Sequence, residues 1–341
     1  MHWTSFASRV IKGFLRRWDL RIVRGESLWR SISQLHRQPI PNPSATAERP
    51  SEPFIKNYAG AAVGRMQIPF DFAVVMPSIL RPTISDAIES VFAQDFAGRV
   101  QLLIGVDRPA GDAQTIDQIC RIVPSRHAVT MFYPGYSTSR RHGGLHPSWD
   151  GGALRTILSY LANSRYLAYL DDDNWYAPSH LTSLHGAIQG FDWAYALRWF
   201  VHPRSRQPIC VDRWESVGPT PRGTMVDPAG WVDPNCFAID KFACEAVLRW
   251  WGIPRRNTDR AMDADRNVFD ILSTEFRGRG TGEATIFYAL DESDRHRHPF
   301  RLQMIGAERY ASAAVLNPGK PREQATCSLE VPAPAPEDGE G

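Results

Sequence analysis

Short apolar runs alternate with amphipathic stretches through the middle of the chain. The runs at residues 71–77, 100–106 and 166–170 are almost continuously apolar, which is typical of strands covered on both faces. Between the first two runs, apolar residues recur at helical spacing from Ile84 to Phe92. A strand–helix–strand unit of this length implies parallel strands joined by a right-handed crossover. The pattern therefore predicts an α/β fold with a mostly parallel central sheet flanked by helices.

The pattern changes after Gly190. Over residues 193–201, apolar side chains alternate with others, as they do in a strand with one covered face. Shorter strands and helices then follow without a regular alternation. We therefore divide the predicted folded region, residues 66–312, into a first half at 66–190 and a smaller mixed half at 191–312.

Both ends of the chain differ from this region. Residues 1–38 are basic, and their apolar side chains recur at helical spacing. Such a helix either binds an anionic membrane surface or docks on its own domain or on a second subunit. Residues 39–53 are rich in proline, so we group residues 1–65 as a basic helix and a linker. The composition of residues 313–341 predicts a disordered tail.

Composition narrows the class of protein. The chain has 341 residues and a formal net charge of +2, which is too small to indicate a nucleic-acid partner. Its five cysteines are scattered, so neither a zinc site nor a disulfide framework is indicated, and a reducing cytoplasm is favoured. No apolar run reaches the roughly 18 residues that a membrane span needs. We expect a cytoplasmic protein, or one that lies at the inner face of a membrane through residues 1–38.

Three adjacent acids, Asp171, Asp172 and Asp173, directly follow the apolar run at 166–170. Adjacent carboxylates repel one another, so a fold keeps them together only where positive charge lies among them. Hard divalent cations prefer carboxylate oxygens and commonly bind together with substrate phosphates. In open α/β sheets, ligands also bind beyond the carboxyl ends of the strands. The alternative is a solvated acidic turn in which one Asp caps the next helix.

Four motifs occur in a recognisable order. They are Val74-Val75-Met76-Pro77 with a following helix that leads to Gln94, Gly151-Gly152-Ala153-Leu154-Arg155, Tyr169-Leu170-Asp171-Asp172-Asp173-Asn174-Trp175-Tyr176, and Asp265-Arg266. Together they resemble the motifs of the inverting nucleotide-sugar glycosyltransferases of the GT-A fold, the large family-two group. The resemblance covers roughly residues 70–300. It implies a GT-A fold whose first half binds a nucleotide and whose second half binds an acceptor.

Two of the motifs depart from the family pattern. The second strand of the family usually ends in two or more acids followed by Gly and Ser, whereas here Asp107 is followed by Arg108. The acidic catalytic motif is usually Glu-Asp, and here it is Asp263-Ala264-Asp265. The choice of general base between the two aspartates therefore stays open.

The resemblance implies transfer of a sugar from a nucleoside diphosphate, UDP foremost, to a hydroxyl acceptor in glycan or cell-surface polysaccharide synthesis. Mn²⁺ or Mg²⁺ is expected on Asp173 directly, with Asp171 acting on the ribose or through water. Further metal ligands are expected at His296 and His298. The implied nucleotide-binding residues are Pro77, Ser78, Arg81, Asp107, Arg155, Asp171 and Asp172.

On the acceptor side, a positioned carboxylate is the expected general base, with Asp265 the first choice and Asp263 the second. Trp231 is a candidate for stacking on the acceptor sugar. Several of the assigned residues could instead have a purely structural role. These alternatives are a turn former for Asp107, a surface arginine for Arg155, a helix cap for Asp265, a core residue for Trp231 and an exposed loop for the two histidines. A homo-oligomer is also compatible with the sequence.

Two other functions fit parts of the pattern. A nucleotidyltransferase would be expected to carry a glycine-rich phosphate loop at the first strand, and the turn at residues 77–81 has no glycine. A degenerate GT-A binding module, recruited through its N-terminal helix, fits the altered sequence after Asp107. The intact acid triplet favours the enzyme.

Overall fold

The computed structural model describes residues 52–108, 113–139, 142–146, 151–219, 230–253, 264–295 and 297–315. Several predictions lie outside these residues: the amphipathic segment 1–38, residues 39–51 of the linker, Asp263, His296 and the tail from residue 316. In the part that is described, none of the helices combines the length and apolar character that a membrane span needs.

The strands are β1 (Phe54–Ala59), β2 (Phe70–Ser78), β3 (Val100–Val106), β4 (His127–Tyr133), β5 (Ser164–Tyr169), β6 (Trp175–Tyr176), β7 (Trp193–Val201), β8 (Pro208–Val211), β9 (Phe237–Asp240) and β10 (Gly278–Ala289). The helices are α1 (Ile84–Phe92), α2 (Ala113–Cys120), α3 (Gly152–Leu161), α4 (His180–Ile188), α5 (Glu245–Leu248), α6 (Ala264–Glu275), α7 (Arg297–Ile305) and α8 (Ala307–Ala314). Short 3-10 helices occupy Pro234–Cys236 and Arg249–Gly252.

All described strands belong to one sheet, in the order β1-β4-β3-β2-β5-β9-β7-β10-β6, with β8 paired to β7. Strands β4, β3, β2 and β5 are parallel to their neighbours in that group. Strand β9 lies antiparallel between β5 and β7, and β7 pairs in parallel with β10. The predicted α/β fold with a central sheet and packed helices is confirmed, and the parallel core lies in the first half of the chain.

Strand β1 lies before residue 66, where the sequence pattern placed the start of the folded region. It pairs antiparallel with β4 at the edge of the sheet. Most of its side chains are exposed, so it lacks the apolar run that identified the central strands. The folded region therefore begins earlier than predicted.

The parallel strands bring the ends of β2, β3 and β5 to one edge of the sheet. All seven residues of β3 are buried, which means that both faces of the sheet are covered there. Ser78 at the end of β2 is in register with Val106 at the end of β3, and Val75 is in register with Tyr169 at the end of β5. The polar residues that follow these strands consequently meet at this carboxyl edge.

Candidate functional site

The turn after β2 is bound to the middle acid of the triplet. Ser78 Oγ donates a hydrogen bond of 2.7 Å to Asp172 Oδ2, and the Ile79 backbone N–H donates to the same oxygen at 3.2 Å. Leu80 adopts the left-handed conformation with φ of 62°, and its N–H donates to Ser78 Oγ at 2.8 Å. Asp172 is thus occupied in joining the ends of two strands.

Arg81 extends from the same turn to two acids of the triplet. Its Nη1 lies 2.6 Å from Asp172 Oδ1 and 3.2 Å from Asp173 Oδ2. The Asp172 side chain is only 3% exposed, whereas that of Asp173 is 42% exposed. Asp173 is therefore the acid of the triplet that is most open to a ligand.

Asp171 is held from two sides. Arg155 donates to Asp171 Oδ1, and Asn235 Nδ2 donates to Asp171 Oδ2 at 2.9 Å. Arg155 is buried, and its guanidinium carbon lies 5.3 Å from the centroid of the Trp251 ring. The guanidinium groups of Arg81 and Arg155 supply the positive charge that the acid triplet requires. The triplet by itself therefore does not demand a metal ion.

Gly151 allows helix α3 to begin directly against Pro77, near the end of β2. Its φ is 72°, and a Cβ atom placed on it would lie 2.6 Å from Pro77 Cβ. Arg155 is one helical turn further on, and its backbone N–H donates to Gly151 O at 2.8 Å. A glycine at this position thus sets how close Arg155 comes to the acid triplet.

Replacing Gly151 by alanine is expected to destabilise the protein by about 1–3 kcal/mol, because a side chain at positive φ is strained and the new Cβ would overlap Pro77. The midpoint of urea unfolding measures this loss. Gly186→Ala is the control, since a Cβ at that position in α4 meets open space; it should gain roughly 0.5–1 kcal/mol. Equal stability of the Gly151 variant and the wild type would contradict the close approach.

Asp107 anchors the loop that follows β4. Its carboxylate accepts hydrogen bonds from Ser137 Oγ at 2.5 Å, from Thr138 N at 2.7 Å and from Thr138 Oγ1 at 2.6 Å. Its backbone N–H donates to Ser78 O at 2.9 Å. These contacts match the turn-forming role, and a contact with a nucleobase stays a prediction.

Asp265 lies in the first turn of α6 and is partly exposed. Burial of its carboxyl group raises its pKa to about 7, despite an opposing hydrogen bond from the Arg266 backbone; the charge of Asp233 adds to the rise and that of Arg155 opposes it. Arg155 itself binds Asp171. Asp265 is therefore close enough to the site for its charge to interact with that of Arg155, and it can exchange a proton near neutral pH.

The remaining predicted residues lie in different surroundings. Trp231 is 8% exposed, with the Arg266 guanidinium carbon 3.9 Å from its ring centroid and the Phe269 ring at 5.3 Å. His298 packs against the Tyr310 ring at 5.6 Å. Within the described ranges, no group of three or more His, Cys, Asp or Glu side chains is placed to hold a metal ion. The acceptor role of Trp231 and the ligand role of His298 remain predictions.

Sequence reasoning missed Asn235. It lies 64 positions from Asp171, yet it contacts both the backbone and the carboxylate of that residue. The local signal was the run Asp233-Pro234-Asn235, a capped helix start in which Asp233 accepts from the Asn235 backbone N–H at 3.0 Å. That signal predicts a turn but not its partner.

Known proteins resemble this chain in structure rather than in sequence. No protein-family model matches the sequence, and no curated protein matches it. Among solved structures, S. aureus TarS 1–349 in complex with UDP-GlcNAc superposes with a TM-score of 0.47 and 12% identity, over 67% of this chain and 61% of that one. The mannosyltransferase PcManGT from Pyrobaculum calidifontis, in complex with GDP-Man and Mn2+, gives 0.47 and 14%, over 84% and 70%.

Proposed function

We propose that this chain is a metal-dependent, inverting glycosyltransferase that moves a sugar from a nucleoside diphosphate, most readily UDP, to a hydroxyl acceptor of a glycan. The observation that supports it is the composition of the carboxyl edge. An open carboxylate at Asp173 and two guanidinium groups at Arg81 and Arg155 lie at this edge. The Asp265 carboxyl group, with a pKa raised by burial to about 7, is close enough for its charge to interact with that of Arg155. Sugar transfer from a diphosphate donor uses each of these groups.

The donor would lie across the acid triplet. Asp173 and Asp171 would hold Mn²⁺ or Mg²⁺, which neutralises charge on a leaving diphosphate when it is bound. The chemistry of the site fits such a cation, because Asp173 offers carboxylate oxygens from a side chain that is 42% exposed. Arg81 and Arg155 would add positive charge next to the diphosphate.

Pro77, Ser78 and Asp107 would line the nucleoside side of this site. The three lie together, because Ser78 O accepts the Asp107 backbone N–H at 2.9 Å. The Asp107 carboxylate already accepts three hydrogen bonds from residues 137 and 138. Its contact with a base would therefore use its remaining acceptor capacity.

Asp265 would act as the general base for transfer. Its carboxylate accepts the proton of the acceptor hydroxyl, whose oxygen forms a bond to the anomeric carbon of the donor sugar. The bond from that carbon to the diphosphate oxygen breaks, and the nucleoside diphosphate leaves with the electron pair. One displacement on the face opposite the leaving group inverts the anomeric configuration, which NMR of the product can read.

The donor site is tested by calorimetric titration of UDP and of GDP, each with and without Mn²⁺. We expect one nucleotide to bind in a metal-dependent way, and Asp173→Ala to weaken that binding by at least about tenfold. Asp71→Ala is the matched control, because Asp71 belongs to the opposite, amino end of β2 and its carboxylate accepts the Arg99 backbone N–H there.

Binding that ignores both the metal and Asp173 would overturn the assignment and leave the triplet a structural turn. Metal-dependent binding without transfer to any acceptor would instead favour the degenerate binding module. The ion pairs of Arg81 with Asp172 and Asp173 favour this alternative, because they already neutralise part of the negative charge of the triplet.

A further inference from the structure

A buried ionic cluster is connected to the acid triplet through hydrogen bonds of Asp233 and Asn235, and Arg198 on strand β7 is its centre. The side chain is 1% exposed, and its three nitrogens each meet a different carboxylate. Nε lies 2.8 Å from Asp212 Oδ2, Nη2 lies 2.6 Å from Glu215 Oε2 and Nη1 lies 2.6 Å from Asp233 Oδ2. The planar guanidinium group therefore fixes the positions of these three carboxylates relative to one another.

Helix α7 closes the cluster. Arg301 Nε and Nη2 each lie 2.8 Å from an oxygen of Glu215, in a two-pronged ion pair. The guanidinium groups of Arg198 and Arg301 also face the Tyr288 ring, at 4.1 and 5.2 Å from its centroid. Charged groups with this many buried contacts have little freedom to move.

Asp233 extends the cluster toward the triplet, because its two oxygens have different partners. Oδ2 binds Arg198, while Oδ1 accepts the backbone N–H of Asn235 at 3.0 Å and its side-chain Nδ2 at 2.7 Å. Pro234 lies between the two residues and starts the 3-10 helix Pro234–Cys236. The position of the Asn235 side chain is thus set by an aspartate that is itself held by Arg198.

The orientation of the Asn235 amide follows from its partners. The Asp171 backbone N–H can only donate, so the oxygen of the amide must face it, at 2.6 Å. The carboxylates of Asp171 and Asp233 can only accept, so the nitrogen faces them, at 2.9 and 2.7 Å. Asn235 is 1% exposed, which leaves it no room for another orientation.

We infer that Asn235 is a positioning residue for Asp171, and that Arg198 and Asp233 hold it in place from the buried cluster. The inference rests on the proposed role of Asp171 in binding the nucleotide and its metal. Asn235 binds Asp171 Oδ2, whereas Arg155 binds the other oxygen, Oδ1. The carboxylate is therefore clamped in one orientation before a ligand arrives.

A double-mutant cycle on nucleotide affinity tests the inference. Calorimetry of the binding nucleotide with Mn²⁺ is carried out on the wild type, Asn235→Ala, Asp171→Ala and the double variant. We expect Asn235→Ala to weaken binding by about tenfold when Asp171 is present. It should change affinity by less than about twofold when Asp171 is absent, since it acts through that residue.

Asn163→Ala is the matched control. The side-chain amide of Asn163 also donates a hydrogen bond, to Met66 O at 2.9 Å. Asn163 precedes β5, however, and so lies at the opposite, amino edge of the sheet. It should lower the melting temperature without changing nucleotide affinity. If Asn235→Ala does not fold, Asn235→Ser takes its place in the cycle, because it retains a polar group in a smaller side chain.

The outcomes separate the two proposals. A tenfold loss with Asp171 present and none without it supports the positioning role. An equal loss of nucleotide affinity in both backgrounds, or no loss in either, overturns the positioning role. The proposed function is retained in that case, provided that the wild type binds the nucleotide. Failure of the wild type to bind any nucleotide with metal overturns the proposed function and the positioning role with it.

Discussion

The Asp265→Asn substitution is expected to lower kcat by about 10²–10⁴-fold, because the amide cannot accept the proton of the acceptor hydroxyl. The affinity for the nucleotide should remain that of the wild type, since the proposed donor site is built on the acid triplet rather than on Asp265. The measurement is the rate of sugar transfer at saturating donor, together with calorimetry of the nucleotide. Asp270→Asn, on the same helix α6, is the control and should retain the wild-type rate.

The raised pKa of Asp265 predicts the direction in which the transfer rate changes with pH. Burial raises the pKa of Asp265 to about 7, so the group is protonated and inactive as a base below that pH. The wild-type rate should rise with pH and level off above about 7. In the Asp265→Asn variant, measured at saturating donor and metal, the remaining slow reaction should lack this rise. Below saturation, Asp173 would give a rise of its own, because burial and the charge of Asp171 also raise its pKa to about 7.

The second acid of the motif, Asp263, provides the result that would contradict this prediction. Should Asp265→Asn keep the full rate while Asp263→Asn loses it, the base is Asp263. A loss in both variants with the pH rise absent only from Asp265→Asn would assign the proton transfer to Asp265 and a supporting role to Asp263.

Methionine in place of Arg198 is expected to destabilise the protein by about 3–5 kcal/mol. The change removes a guanidinium group that contacts three carboxylates at once, those of Asp212, Glu215 and Asp233. Methionine fills much of the same space, so the loss reflects unpaired buried charge more than a cavity. Urea unfolding followed by circular dichroism measures it.

Arg204→Met is the matched control for that experiment. Arg204 forms an ion pair with Glu292 at 2.7 Å, but its side chain is 79% exposed. Water screens such a pair, so its loss should leave the unfolding midpoint almost unchanged. If the two variants unfold at the same urea concentration, the buried cluster does not support the fold around Asp233 and Asn235.

The central strands could be predicted from the sequence because their neighbours cover both faces. A strand such as β3, with all residues buried, must be apolar along nearly its whole length, and this leaves a continuous run in the sequence. Strand β1 is mostly exposed, so its residues met no such requirement, and it was assigned to the linker. The same logic placed the triplet at a strand end, where an apolar run stops at three acids.

The partners of the site residues could not be predicted in the same way. Arg81 lies 91 positions from Asp172, and Asn235 lies 64 positions from Asp171. Local patterns indicate which side chains of a segment are buried in the core. They do not indicate which distant side chains contact that segment. Sequence reasoning therefore required positive charge at the triplet and predicted a divalent cation there, but it could not predict that Arg81 and Arg155 contact the same acids.

The sequence by itself determined the α/β architecture, the parallel core and the location of the acids beyond β5, because burial and backbone periodicity act on neighbouring residues. Only the tertiary structure decided which acid is open to a ligand and which is occupied by the turn after β2. It likewise decided the pKa of Asp265 and the clamp on Asp171, since desolvation and hydrogen bonding depend on groups that the fold brings together from far along the chain.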